Sequence, residues 1–250
     1  MDERETGEQE KADTDVPRQD VARPGLLRTL WEWTRSLALT IVVFLVLRVF
    51  VVEAFRIPTA SMQDTLLPGD LLLVNKAVYG AEVPGTTLRV HAFAEPMRGD
   101  LVVFVPPHDS TTNYVKRLVG APGDTLEMHD KVLVRNGLQV PEPYVRYLDE
   151  ERDAVHPNMK WQANHLVAST AGEYHPTRDN WGPLVVPAGE YFFLGDNRDN
   201  SEDSRYWGFV SREAIRGRPW FVYYSFEPTT RGRLPWLRGA RWERVGLAVH

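Results

Sequence analysis

The hydrophobic positions of this chain form one long apolar segment near the N-terminus and many short runs after it. Residues 37–52, LALTIVVFLVLRVFVV, contain a single charged side chain, Arg48, and with their flanks they reach from Trp31 to Phe55. At about 1.5 Å per residue, a helix of this length crosses a hydrocarbon core of about 30 Å. We therefore predict a transmembrane anchor over 29–55.

A cleaved secretory signal is the alternative interpretation of this segment, because VEA at 52–54 offers small or modest residues at suitable offsets. The leader before the apolar run is long and acidic, however, and the run exceeds the usual apolar region of about 7–15 residues. These features favour an anchor. Three arginines precede the span and only Glu32 opposes them, so the positive-inside rule predicts a cytoplasmic N-terminus with the rest of the chain outside.

Beyond residue 60, turn signals alternate with short apolar runs, as in PGDLLLV, RGDLVVF, PGDTLEM and PAGEYFFLGD. Gly and Pro supply the turns, and the runs have the length of strands. KVLVRNGLQV is the clearest hairpin, with Asn136 and Gly137 suited to a type I′ turn. We predict an all-β domain of antiparallel sheets, barrel-like in shape, following the transmembrane α-helix.

Residues 138–182 differ from the rest, because they are polar and weakly patterned and are rich in Tyr, His, Trp and Pro. We expect them to form an inserted smaller β subdomain. The tail, 229–250, is basic and carries Trp residues, and it either touches anionic lipid head groups or is solvated. The expected divisions are a disordered acidic cytoplasmic segment (1–28), the anchor (29–55), the main β domain (56–137 and 183–228), the inserted subdomain (138–182) and the tail (229–250).

Composition narrows the classes of function. The 250-residue chain has no cysteine, which excludes disulfides, thiolate catalysis and cysteine-ligated metal sites. The net charge is −5, and residues 1–22 hold eight acidic and three basic side chains, so the remaining 26 acidic and 26 basic side chains balance. This balance argues against a nucleic-acid partner, which a basic face would normally recognise.

A candidate nucleophile lies close after the apolar segment, in IPTASMQDTLLPGD at 57–70. Ser61 is nine residues from Val52, or at most about 30 Å of extended chain, so it lies near the membrane surface. A serine in such a stretch is more often a turn residue than a nucleophile. The stretch alone leaves both interpretations open.

A lysine is available as a base for this serine, provided that burial keeps it neutral. In NYVKRLVGAPGD, period-two alternation places Tyr114, Lys116 and Leu118 on one face of a predicted strand. The alternative is that Lys116 faces water on an edge strand, where lysines discourage aggregation.

The cluster GDNRDNSEDSRYWGF at 195–209 follows another apolar run. It does not fit the calcium loop of an EF-hand, and the seven histidines form no HExxH pattern, so we predict no metal site and no cofactor. Its Ser201, Asp203 and Arg205 have the donors and acceptors to brace a neighbouring site.

Taken in order, the apolar span and these three stretches closely resemble the bacterial type I signal peptidases, or leader peptidases. The resemblance implies that Ser61 is the nucleophile and Lys116 the general base of a Ser/Lys dyad. It implies an oxyanion hole made by the Ser61 backbone N–H and the Thr59 hydroxyl. The sequence departs from the family pattern at Ala60 and at Asp64, where Gly and Pro are usual.

By the same resemblance, Ser201 orients the lysine, while the pair Asp203 and Arg205 supports it. Four residues are expected to line the pocket for the substrate residue before the cut: Met62, Leu66, Tyr114 and Val115. The implied partners are the signal peptides of exported preproteins, cut after an A-x-A-like site, and the lipid bilayer. The enzyme is expected to be single-pass in the plasma (inner) membrane, with its catalytic domain on the outer face.

Two other functions remain open at this stage. The alternatives to signal peptide removal are a specialised Ser/Lys maturation protease and an inactive anchored β domain that binds emerging preproteins. The need for both Ser61 and Lys116 in cleavage separates the enzyme from the binding domain.

Overall fold

The computed structural model describes residues 25–82, 86, 88–148, 153, 155–167, 174–231 and 234–249. Most of the acidic segment expected to be disordered, over 1–24, therefore lies outside the described residues, as do parts of the expected insertion and tail. The chain divides into two compact units, residues 1–43 and 44–250. The fold of the second unit positions the candidate site.

The apolar segment forms helix α1, Leu26–Phe50. Its length and composition suit a membrane crossing, and none of its most apolar 18-residue window is buried by the protein. The helix is shorter at its C-terminal end than the anchor expected over 29–55. The next residues form strand β1, Val52–Arg56, because they pair in antiparallel register with a neighbouring strand, Val52 opposite Asn75.

The rest of the described chain is mainly antiparallel β-structure. The further strands are β2 Asp70–Asn75, β3 Leu101–Phe104, β4 Tyr114–Gly120, β5 Thr125–His129, β6 Val132–Arg135, β7 Leu138–Gln139, β8 Trp181–Val185, β9 Glu190–Leu194, β10 Val210–Ser211 and β11 Ile215–Ser225. Two short α-helices are α2 Ser204–Trp207 and α3 Pro235–Arg238. Short 3-10 helices cover Ala77–Tyr79, Pro157–His165, Arg198–Asn200, Arg212–Ala214 and Trp242–Arg244.

The strands form two sheets. The larger has the order β1-β2-β11-β3-β4-β9-β10 and curls as a half-barrel, and the smaller has the order β7-β6-β5-β8. An apolar N-terminal helix followed by a mostly β domain confirms the fold class. The smaller sheet takes β5 and β6 from before residue 138, and the expected insertion contributes β7 and the start of β8. Asn136 and Gly137 both have positive φ, 54° and 76°, as the predicted hairpin turn requires.

The C-terminal tail packs on the larger sheet. Arg244 donates to the carboxylate of the fully buried Asp70 in β2, with its Nη2 2.6 Å from Oδ2. The backbone N–H of Val222 in β11 donates to the carbonyl of Leu247, and the Val249 side chain is buried. The described end of the tail is therefore part of the folded β domain.

Candidate active site

The loop that carries Ser61 is held by its apolar side chains. Met62 and Leu66 are almost fully buried in a cluster with residues of β2 and β3. Their burial fixes one turn of chain, in which the Leu66 N–H donates to the Met62 carbonyl at 2.7 Å. Asp64, at the corner of this loop, has φ 77° and forms an ion pair with Arg146. Proline cannot adopt that φ, whereas aspartate tolerates it, so this loop conformation requires a residue other than the proline usual in the family pattern.

Lys116 lies in the middle of the larger sheet. Its strand, β4, pairs with β3 on one side and β9 on the other, and the lysine side chain is almost fully buried. The alternative of a water-facing lysine on an edge strand is therefore wrong. The Nζ atom of Lys116 lies 2.5 Å from Oγ of Ser61. The structure thus brings together the two residues that the sequence predicts to act together.

Burial changes the protonation of this lysine. Desolvation lowers the pKa of Lys116 from its ordinary 10.5 to about 8. The negative charge of Asp203 opposes this shift and the positive charge of Arg205 reinforces it. Asp196 and Glu202 also raise the pKa, but the burial effect outweighs these charges. A substantial fraction of the lysine is then neutral slightly above neutral pH and can accept a proton.

Asp203 and Arg205 form a buried ion pair beside the dyad. The Arg205 guanidinium donates to both carboxylate oxygens, with each N–O distance 2.8 Å, and neither side chain is exposed. Burial opposes the charge of Asp203, but Arg205 outweighs it and the pKa of the carboxyl is lowered. The carboxylate also accepts the backbone N–H of Gly195 at 3.1 Å. The pair therefore anchors the loop that follows β9.

Ser201 is buried close to the serine loop, but its hydroxyl has no hydrogen-bond partner among the described residues. The predicted bond from Ser201 to Lys116 is therefore not formed in this structure. Gly195 permits the close approach, because a Cβ at that position would overlap the Ser201 side chain and lie 2.6 Å from the Ser61 carbonyl oxygen. The orienting role of Ser201 stays a prediction.

The expected oxyanion donor is near the nucleophile. The Thr59 hydroxyl lies 3.4 Å from the Ser61 hydroxyl, and both residues belong to the loop that follows β1. Ala60 between them does not have positive φ, as expected for a residue with a Cβ. This placement leaves the Thr59 hydroxyl available to donate to an oxygen bound beside Ser61.

Four residues that the sequence did not single out join the serine loop to the lysine strand: Thr65, Arg117, Asp196 and Asn197. Asp196 accepts from the guanidinium of Arg117, at 2.7 and 2.8 Å, and from the hydroxyl of Thr65 at 2.6 Å. Asn197 donates from its backbone to the Ser61 carbonyl at 3.1 Å. Three of them lie next to or within motifs already discussed: Arg117 directly follows Lys116, and Asp196 and Asn197 lie at the start of GDNRDNSEDSRYWGF. Their partners, however, lie far away in the sequence.

A cleft of about 340 Å³ opens beside the dyad. Ser61 and Lys116 line it together with three of the four predicted pocket residues, Met62, Tyr114 and Val115. Leu66 does not line the cleft but lies in the buried cluster with Met62. Among the described residues, no three His, Asp or Glu side chains are grouped as a metal site would require.

Comparison with known proteins identifies the class of this chain. The family profile described as "Signal peptidase, peptidase S26" matches residues 30–224. A signal peptidase I of Pseudomonas aeruginosa is 38% identical over 232 residues, 87% of this chain and 79% of that protein. One of Rickettsia bellii is 35% identical over 220 residues, 80% of this chain and 75% of that protein.

A crystal structure of a signal peptidase I from Enterococcus faecalis is also similar, at 31% identity. The match covers 50% of this chain and 96% of the Enterococcus faecalis chain, with a TM-score of 0.34. The sequence matches define a serine peptidase, a hydrolase. The chain belongs to the signal peptidase family, peptidase S26.

Proposed function

We propose that this protein removes N-terminal signal peptides from exported preproteins by a Ser/Lys dyad. The observation that carries the proposal is the 2.5 Å separation of the Lys116 Nζ and the Ser61 Oγ, with the pKa of the buried lysine lowered to about 8. The neutral lysine accepts the Ser61 proton while the oxygen attacks the scissile carbonyl carbon. Lys116 then returns this proton to the leaving amine, and a water molecule hydrolyses the ester.

The negative oxygen of the tetrahedral intermediate requires donors. In the proposed mechanism these are the Ser61 backbone N–H and the Thr59 hydroxyl, which lies 3.4 Å from the nucleophile. The ion pair of Asp203 and Arg205 positions the loop after β9 against the serine loop. The Ser201 hydroxyl, which is buried without a partner among the described residues, is proposed to accept a hydrogen bond from Lys116 during the reaction and so orient it. These groups support the dyad without contacting the substrate.

The cleft is suited to an extended peptide with a small side chain before the cut. The residue at −1 would contact Met62, Tyr114 and Val115. The peptide would add as a strand beside residues 114–116 of β4, which pair with β3 on one side, while β9 pairs with β4 only from Arg117 onward. Signal peptides end in an A-x-A-like pattern, with small residues at −3 and −1, and a small −1 side chain fits such a pocket. Leu66 contributes through the packing of Met62.

We further propose that α1 anchors the enzyme in the plasma (inner) membrane as a single span. Arg28 and Arg35 on the N-terminal side favour a cytoplasmic N-terminus, which leaves the catalytic domain on the outer face. Ser61 follows the end of α1 by 11 residues, at most about 40 Å of extended chain, which suits a substrate whose cut site emerges near the bilayer.

The test is cleavage by the full chain purified in detergent. A preprotein with an A-x-A site is incubated with the enzyme, and the N-terminus of the product is read by mass spectrometry. We expect one cut directly after the second alanine, and loss of that cut when this alanine is replaced by phenylalanine. Absence of cleavage would favour an anchored binding domain, and cutting without regard to the −1 residue would contradict the proposed pocket.

A further inference from the structure

Two more cavities open beside the catalytic cleft. The first, of about 370 Å³, shares Asn200 and Glu202 with the cleft and is also lined by His156, Asn158 and Tyr206. The second, of about 430 Å³, shares Asn158, Glu202 and Tyr206 with the first. We name these two cavities together the Asn158 groove. Glu202 lines the cleft and both parts of the groove, so it marks the junction between them.

Glu202 carries a charge that has no ion-pair partner within the described part of the chain. Its side chain is exposed, and no hydrogen bond or ion pair joins its carboxylate to a described residue, although its charge raises the pKa of Lys116 in the neighbouring cleft. Asp199, which also lines the groove, is different, because it pairs with Lys131 at 3.1 Å and with Arg178 at 3.5 Å. Glu202 is therefore the carboxylate at this junction that is free to meet a positive charge from outside.

The backbone on either side of Glu202 is fixed. Ser201 before it and Asp203 after it are buried, and Asp203 caps α2 while it holds the ion pair with Arg205. The carboxylate thus projects from a rigid stretch of backbone. A charge held in this way selects a partner at lower entropic cost than a charge on a mobile loop.

The lining of the Asn158 groove indicates which part of a substrate it suits. Its walls combine amide, histidine and aromatic side chains, and Trp161, Tyr206 and Trp207 supply the apolar area. Such a mixed surface suits the polar chain that follows a cut better than the apolar segment that precedes it. The cleft, in contrast, is lined by the apolar Phe55, Ile57 and Pro58 in addition to Met62 and Val115, so it suits the apolar side of the cut better than the groove does.

We propose, on the basis of the proposed function, that the first residues of the mature segment pass Glu202 into the Asn158 groove, where the carboxylate selects a lysine or arginine side chain. The continuity of the cleft and the groove provides the path, and the Glu202 carboxylate provides the selectivity. Glu202 acts here as a specificity residue and takes no part in the proton transfers.

The test compares matched preproteins on the same enzyme. Each carries an A-x-A site and either lysine or glutamate, placed in turn at the middle position of that site and at each position of the short segment after the cut. For the wild type we expect kcat/KM to be about threefold higher with lysine at one or two of the positions after the cut, as for an ion pair at a solvent-exposed site. The preference should shrink with added salt, because salt screens exposed charges.

The variants isolate the role of the carboxylate. Glu202→Gln should bring the lysine-to-glutamate ratio to about one, and Glu202→Lys should invert it. Each ratio is taken within one enzyme, so a general change in activity cancels. Glu243→Gln, a control at an exposed acidic residue outside the cleft and groove, should keep the wild-type ratio.

The outcomes separate this inference from the proposed function. A wild type that cleaves every substrate at the expected site, with a ratio that Glu202→Gln does not change, would overturn the inference and leave the peptidase function standing. A Glu202-dependent preference found only at positions before the cut would overturn the proposed direction of the chain. Failure to cleave any substrate would contradict the proposed function itself.

Discussion

The Lys116 Nζ lies 2.5 Å from the Ser61 Oγ, although the two residues are 55 positions apart in the chain. Two separate structural features produce this contact. The burial of Met62 and Leu66 fixes the serine loop, and the pairing of β4 with both neighbours fixes the lysine. A buried lysine beside a hydroxyl is a proton acceptor when it is neutral, so the chemistry of the pair depends on pH.

The pH profile of cleavage should report Lys116. Because the pKa of this lysine is about 8, the neutral fraction rises with pH and reaches a plateau above that value. We expect kcat/KM to fall about tenfold per pH unit on the acid side of this pKa. The measurement is kcat/KM from pH 6 to 10 with one preprotein. A profile that stays flat down to pH 6 would mean that no group of this kind limits cleavage.

The Thr59 hydroxyl should matter in the transition state. Thr59→Val keeps the shape of the side chain but removes the donor, and we expect kcat to fall about 10²- to 10³-fold with little change in KM. Thr59→Ser keeps the hydroxyl and should retain most of the activity. Steady-state kinetics of both variants test this role. Equal activity of Thr59→Val and Thr59→Ser would contradict a role of the Thr59 hydroxyl in the oxyanion hole.

Gly195 should be needed for the position of the nucleophile. A Cβ there would lie 2.6 Å from the Ser61 carbonyl oxygen, so the serine loop must move. Displacements of this kind can cost about 10²-fold in rate, and we expect a loss of that order in kcat for Gly195→Ala. Gly25→Ala, whose Cβ would meet no atom within 4 Å, is the matched control. Wild-type kcat in Gly195→Ala would show that the loop adapts without consequence.

The buried ion pair should contribute strongly to stability when one partner is removed. Asp203→Asn leaves the fully buried Arg205 charge without its counter-ion, and we expect a loss of about 3–5 kcal/mol in the free energy of unfolding. Glu95→Gln removes one partner of a pair whose carboxylate is 68% exposed and should cost less than about 1 kcal/mol. Denaturant unfolding followed by tryptophan fluorescence compares the two, and equal losses would contradict the difference in burial.

Local patterns in the sequence predict much of the fold. The apolar run predicts α1, the alternation around Lys116 predicts β4, and Asn136 with Gly137 predicts the hairpin turn that the structure contains. These features depend on residues that are neighbours in the chain. The helix end at Phe50 was less predictable, because the residues after it are apolar enough for a helix and become a strand only through pairing with β2.

The candidate site could be predicted only in part, for the same reason. The motifs identify Ser61 and Lys116, but no local pattern reveals that Asp196 joins Arg117 to Thr65. The position of β4 between two strands also depends on the whole sheet, and it decides whether Lys116 is buried. Contacts between distant segments thus determine the protonation of the lysine, which is the property that the proposed chemistry needs.

Cleavage by variants of the two dyad residues tests the central claim most directly. Ser61→Ala and Lys116→Ala are compared with Ser211→Ala and Lys160→Ala, which change exposed residues outside the cleft. Near-UV circular dichroism of each protein in detergent verifies the fold. We predict that both dyad variants lose cleavage of an A-x-A preprotein while folded and that both controls retain it. Cleavage at the same site by a folded Ser61→Ala or Lys116→Ala protein would contradict the dyad.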